Sequence, residues 1–224
     1  MTGVLVALLI IQSADAELAA AIERARSADR YAFKLESAVQ GGENTHTTLV
    51  EGRYEKDRPV WMKSGDVEVF RKGDRLAVLR NGDWKRVDGR DGEKRRRFQP
   101  APASLRAIRL PHEELVSILK QFKEVKKLDV KEGDQTVFLG EMTDEAARSF
   151  LDANAVVRRS EDTPGGAGRF WVTPSGDLAM VEIIVRIRAK RGRDTGASMW
   201  ITLSEIGTAR GEVPESALRA LEEK

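Results

Sequence analysis

The chain has 224 residues, 41% of them hydrophobic and 33% charged, so it is long enough to bury a core and too apolar for wholesale disorder. Lys and Arg number 38 against 36 Asp and Glu, a net +2 spread along the chain, which argues against a dedicated nucleic-acid binder. Cysteine is absent, which excludes disulfides, thiol catalysis and a lipidated N-terminal cysteine.

The first element is an apolar run, Val4 to Ile11, too short to cross a bilayer as a helix but suited to the core of a signal peptide. Gln12 and Ser13 follow, and Ala14-Asp15-Ala16 supplies a small-x-small cleavage pattern. The expectation is therefore a signal peptide over residues 1–16, cut before Glu17, and an exported mature chain of net 38 − 35 = +3. No Lys or Arg precedes the run, which departs from the usual pattern, and a buried N-terminal strand or helix is the alternative. No later segment is apolar enough to span a membrane, so the mature protein is expected to be soluble.

Glu17 to Asp29 places Leu18, Ile22 and Ala25 on one face and reads as an amphipathic helix. The period then changes to two: Tyr31, Phe33, Leu35, Ser37 and Val39 alternate against charged or small partners in a half-buried strand. A Gly41-Gly42 turn leads to the β-rich "THTTLVEGRYEK". Four short strands follow, "PVWMKS", "VEVFRK", "RLAVLR" and "DWKRVD", separated by Gly-Asp or Asn-Gly-Asp, the mark of an antiparallel meander. A polar loop contains "EKRRRF"; Lys94, Arg95, Arg96 and Arg97 are either a solvated cluster or a contact for an acidic surface or headgroup. "PASLRAIRL" and "PHEELVSILKQFKEV" carry helical spacing at Leu115, Ile118, Leu119 and Phe122, with Pro111 at a first turn. A hairpin about Gly133-Asp134 and a short helix capped by Thr143 come next. "PGGAGRF" lacks the strand-before, helix-after context of a phosphate loop and reads as a flexible connection. Two strands joined at Gly176-Asp177, one more strand over "ASMWITLSEIG" and a helix from Pro214 close the chain. The reading is α+β: one domain, 17–224, on a large antiparallel sheet.

Five Gly-Asp pairs raise the possibility of a calcium repeat. Their spacing is irregular and the residues between them alternate, so turns explain them better. His46 and His112 belong to no metal-ligand pattern, and no Gly-x-Ser-x-Gly is present. Neither an enzyme nor a cofactor or metal site is indicated. Trp61, Trp84, Trp171 and Trp200 all fall in strands, two of them apolar on both faces. Such strands are covered twice, by core or by a ligand.

The stretches "YAFKLESAVQGG", "VEGRYEK", "NGDWKRVD", "RFWVTPSGDLAMVEIIVRI" and "LSEIGTARGEVPESALRAL" together resemble the bacterial lipoprotein-carrier superfamily with the LolA-like fold. That resemblance implies a curved antiparallel sheet forming an incomplete β-barrel, with helices as a lid or plug over an apolar cavity. It implies binding of a lipid, acyl chain or lipoprotein by a periplasmic or secreted, non-enzymatic carrier. The lining expected is Phe33, Leu35, Val181, Ile183, Val185, Met199, Ile201 and Leu203, and the lid Leu115, Ile118, Leu119 and Phe122. The alternative is an exported interaction or sensor module with the same fold and a filled cavity.

Overall fold

A computed structural model describes residues 16–41, 44–87, 105, 108–154, 156, 163–187 and 195–223. The expected signal peptide, with the exception of Ala16, and the basic cluster Lys94–Arg97 lie outside the described residues. So does most of "PASLRAIRL".

Helix α1 covers residues 16–27, followed by β1 (Arg30–Gly41), β2 (Asn44–Glu55), β3 (Val60–Ser64), β4 (Val67–Lys72), β5 (Arg75–Arg80) and β6 (Asp83–Val87). After them come α2 (Pro111–Leu115), a 3-10 turn (Ile118–Gln121), β7 (Phe122–Glu132), β8 (Gln135–Met142) and α3 (Asp144–Ala153). The chain ends with β9 (Pro164–Val172), β10 (Leu178–Ile187), β11 (Thr195–Ser204) and α4 (Glu215–Glu222). The strands form one sheet in the order β6-β5-β4-β3-β2-β1-β11-β10-β9-β8-β7. It does not close, since β6 and β7 are its ends, and every described register is antiparallel. The α+β class and the large open antiparallel sheet expected from the sequence are what the structure shows.

The Gly-Asp pairs are corners. Gly65, Gly73, Gly82, Gly133 and Gly176 all have positive φ, between 55° and 86°. At the β5–β6 corner Asn81 (φ 53°) joins Gly82, and Arg80 pairs with Asp83, the two-residue turn whose twist matches a hairpin. No group of three or more His, Asp or Glu side chains suited to a metal ion occurs among the described residues.

The chain divides into two compact units. The first comprises residues 1–27, 35–48 and 111–203, and the second 28–34, 49–110 and 204–224. In the second, α4 packs on β4, β5 and β6. Its buried Ala217, Ala220 and Leu221 meet Phe70 and Ala77, and Trp61, Trp84 and Val213 pack around them. Burying a side chain of Leu221's size contributes about 1.5–3 kcal/mol. The helix starts after Pro214, which takes an extended ψ of 140°, and Arg75 Nη1 donates to the Leu221 carbonyl (3.1 Å) in its last turn, where a cation is favoured. The other face of the same strands, Met62, Val69 and Val78 in one cross-strand row, is also buried. β4 and β5 are therefore buried on both faces, whereas Lys85 of β6, opposite Val78, is exposed.

In the first unit, Leu18, Ala21, Ile22 and Ala25 of α1 are buried at the spacing of one helix face. Lys127 of β7 donates to Glu17 (2.6 Å), while Arg24 donates to the Gly176 carbonyl and pairs with Asp177 (3.7 Å) at the β9–β10 turn. These exposed pairs fix position more than they stabilise. Helix α3 packs on β9 and β10 through Ala147 and Leu151, and the Thr143 hydroxyl accepts from Ala146 N–H (3.1 Å), the expected N-cap.

Two local expectations are corrected. "PHEELVSILKQFKEV" is not one helix: α2 stops at Leu115, the 3-10 turn ends at Gln121, and Phe122 takes extended angles (φ −112°, ψ 141°) and opens β7. "PGGAGRF" is not a flexible connection but strand β9, with Pro164 opposite Ile187 and Gly168 opposite Ile183.

Candidate functional site

The cross-strand pairs Val181–Ile201, Ile183–Met199 and Val185–Ala197 put the expected lining residues of β10 and β11 on one side of the sheet. Leu203 joins them by strand period, and β9 adds Phe170 opposite Val181. Leu35 lies in β1, the neighbour of β11, and is half-buried. Phe33 belongs to the second unit, where its ring covers Gly52 and tilts against Tyr31 at 6.0 Å between centroids.

On β8 and β9 the same side carries glycine. Phe138 faces Phe170, Gly140 faces Gly168, and Gly168 faces Ile183. The ring of Phe122 lies over these glycines: a Cβ built on Gly168 would stand 2.5 Å from its Cζ, and one on Gly140 2.7 Å from its Cδ1. The ring also meets Phe170 edge-on at 5.4 Å. Phe122 and Val125 are three residues apart, which in a regular strand would send them to opposite faces. The register irregularity between Phe122 and Glu124 brings both to Gly140. That bulge produces the three-residue spacing that imitates a helix in the sequence.

The four expected lid residues therefore come from three pieces: Leu115 from α2, Ile118 and Leu119 from the 3-10 turn, and Phe122 from β7. Leu115, Ile118 and Phe122 are buried and Leu119 half-buried. The strap is fastened where Thr143 N–H donates to the Gln121 carbonyl (2.8 Å).

Exposure measures how full the face is. Val181, Ile183, Val185 and Ile201 are 0–2% exposed, while Leu35 and Met199 keep partial exposure. A side chain lining an open cavity would retain accessible surface. The central strip is thus packed on by protein atoms.

The opposite side of these strands carries polar partners. Glu182 stands between Arg169 and Trp200 in the register, accepts from the Trp200 indole (2.9 Å) and lies 3.8 Å from Arg169. Trp171 and Trp61 likewise donate to Glu132 (2.9 Å) and Glu68 (2.7 Å). Each of these tryptophans is an apolar body with its one donor satisfied.

A shallow cleft, open to solvent, lies in the second unit. Its floor is Trp61, Phe70 and Val213, and Arg53, Arg58 and Arg210 stand at its rim. Two of the rim arginines are engaged: Arg53 donates to the Arg210 carbonyl (3.1 Å) and Arg58 to Glu55 (3.1 Å). The sequence gives no signal for this cleft, because its arginines come from distant, unpatterned positions. His46 is exposed in β2, and His112 is the second residue of α2, beside Glu113 and Glu114 in the first turn.

No family model and no curated protein matches the chain. Among solved structures it is similar to the lipoprotein LppX of Mycobacterium tuberculosis, at 12% identity and TM-score 0.46 over 88% of this chain and 96% of that one. It is similar to LprF of Mycobacterium bovis, at 14% and 0.47 over 92% and 98%. A LolA superfamily protein of Nitrosomonas europaea matches at 10% and 0.32 over 92% and 97%. Likenesses this distant concern architecture, not ligands or residues. No helix among the described residues is long and apolar enough to cross a membrane.

Proposed function

We propose that this chain is an exported, non-enzymatic binder of a lipid, acyl chain or lipoprotein, and that the ligand is held against the β10–β11 face of the first unit. The observation that carries the reading is the unbroken apolar strip of Val181, Ile183, Val185, Ile201 and Leu203 on one side of paired strands, with every charged neighbour on the other. Leu35 and Met199 complete the lining, and the strap from Leu115 to Phe122 is the cover a ligand displaces. A short α-helix, a 3-10 turn and the first residue of an edge strand are a looser cover than one continuous helix. Each methylene sheltered from water contributes ~0.8 kcal/mol, so an acyl chain of ordinary length can offset the loss of the strap's own contacts. Export rests on the leader pattern of residues 1–16, and the basic residues Lys94–Arg97 are the proposed contact for an acidic headgroup or partner.

The near-complete burial of the strip favours a second reading, in which the face stays filled and the domain works by its outer surface as an interaction or sensor module. Native mass spectrometry of the purified protein separates the two. Retained lipid, or an apolar fluorescent probe that a fatty acid displaces, is the expected result. An empty protein that binds neither overturns carriage.

A further inference from the structure

The shallow cleft of the second unit is built from one cross-strand row and one loop. Arg53 stands opposite Trp61 and Trp61 opposite Phe70, so the three side chains share a face of β2, β3 and β4. Residues 209–213, between β11 and α4, complete the cleft with Ala209, Arg210, Gly211 and Val213. The chain leading into this loop is held in place: Gly207 N–H donates to the Arg30 carbonyl (2.9 Å) and Ala209 N–H to the Glu205 carbonyl (2.8 Å). Arg53 Nη1 donates to the Arg210 carbonyl (3.1 Å), which holds its guanidinium against the loop.

The charge of the lining is one-sided. Its cations are Arg53, Arg58 and Arg210, and Glu55 is its one carboxylate. Glu55 is already shared, with Arg58 at 3.1 Å and Arg30 at 3.5 Å. Glu68, on the same face as Phe70, accepts the Trp61 indole (2.7 Å). Among the described residues neither Arg53 nor Arg210 has a carboxylate partner, and a guanidinium has more donors than the one Arg53 gives the loop. Beneath these cations lie the apolar surfaces of Trp61, Phe70 and Val213. Arginines short of anions over an aromatic floor suit a ligand with a charged head and an apolar body.

We propose that this cleft binds a phosphate monoester, its phosphate held by Arg53, Arg58 and Arg210 and its first carbons lying on Trp61. A monoester fits better than a carboxylate, because it carries nearly a second negative charge and a third acceptor oxygen for the third arginine. Its ester carbon meets the apolar floor while its oxygens meet the rim. The shallowness of the cleft limits the bound part to the phosphate and its nearest carbons, and the rest of the ligand stays outside. A free organic phosphate and the headgroup of a phosphatidic acid both present this chemistry. The site stands apart from the apolar strip of the first unit and needs no movement of the strap.

Phosphorus NMR of phenyl phosphate titrated with the full chain tests this. Binding is expected with a dissociation constant on the order of 1 mM, and inorganic phosphate, which lacks the ring, should bind several-fold more weakly. Arg53→Gln and Arg210→Gln are each expected to weaken phenyl phosphate about tenfold. Arg210 is exposed and gives the loop its carbonyl rather than its side chain, so its substitution leaves that contact in place; circular dichroism checks that both variants fold. Lys72→Gln removes an equal charge from an exposed position outside the cleft and should change nothing. Sedimentation with phosphatidylcholine vesicles containing phosphatidic acid then separates the sources. Vesicle binding that Arg210→Gln abolishes supports a lipid headgroup, and phenyl phosphate binding without vesicle binding supports a free phosphate. A chain that leaves phenyl phosphate unbound at about 10 mM overturns the proposal. So does an Arg210→Gln variant that binds like the wild type, inorganic phosphate that binds as well as the monoester, or a loss in Lys72→Gln as large as that in Arg210→Gln.

Discussion

Both compact units set a phenylalanine ring on glycine, and they do it differently. In the second, Phe33 of β1 covers Gly52 of the adjacent β2, and a Cβ at Gly52 would meet Phe33 Cζ at 2.1 Å. In the first, Phe122 reaches from the edge strand over glycines on two further strands, Gly140 of β8 and Gly168 of β9. Tyr31 and Tyr54, stacked at 5.0 Å, back the Phe33 ring, whereas Phe122 opens its strand directly after a 3-10 turn. The Phe33 ring is a fixed part of a core, and the Phe122 ring is the end of a strap. Glycine here marks where a ring needs the backbone's own surface.

The sharpest way to break this contrast is to remove each ring. Phe33→Ala and Phe122→Ala are each expected to cost on the order of 3 kcal/mol by denaturant unfolding. Only Phe122→Ala should also raise the uptake of an apolar probe; equal uptake by both would erase the distinction. Filling the seats has the next largest effect. Gly52→Ala and Gly168→Ala should each destabilise by about 1–3 kcal/mol through overpacking. Pairing Gly168→Ala with Phe122→Leu should recover part of that loss, and an additive double mutant would mean the ring is not what the methyl group meets. The smallest effect belongs to the first unit alone: Thr143→Ala, at the cap of α3, is expected to cost ~1 kcal/mol without altering probe uptake. A change in uptake there would make α3 part of the cover.

The meander was legible because its signals are local. Period-two strands and Gly-Asp corners each depend on a handful of neighbouring residues, and Arg80-Asn81-Gly82-Asp83 carries its turn type in its own side chains. The side chains of β10 and β11 that share a face were legible for the same reason. What escaped depends on distant residues. Leu115, Ile118, Leu119 and Phe122 fit a helix by spacing, and only the pairing of β7 with β8 converts the last of them to strand. Gly166 and Gly168 suggest flexibility until Met142 and Phe122 are seen to occupy the space where their side chains would be. The depth of burial over Val181 to Ile187 was also hidden, because alternation says which face turns inward and not what fills the space beyond it.

The two-residue corners of the second unit bear on the order in which the chain assembles. β3 to β6 are joined entirely by such turns, so each pairing closes a minimal loop and loses little chain entropy. The pairing of β1 with β11 instead joins segments from opposite ends of the chain. Contacts of high sequence separation are the slow ones in folding. The meander is therefore expected to form early, and the β1–β11 ladder, whose partners lie far apart in the chain, is expected to form after it.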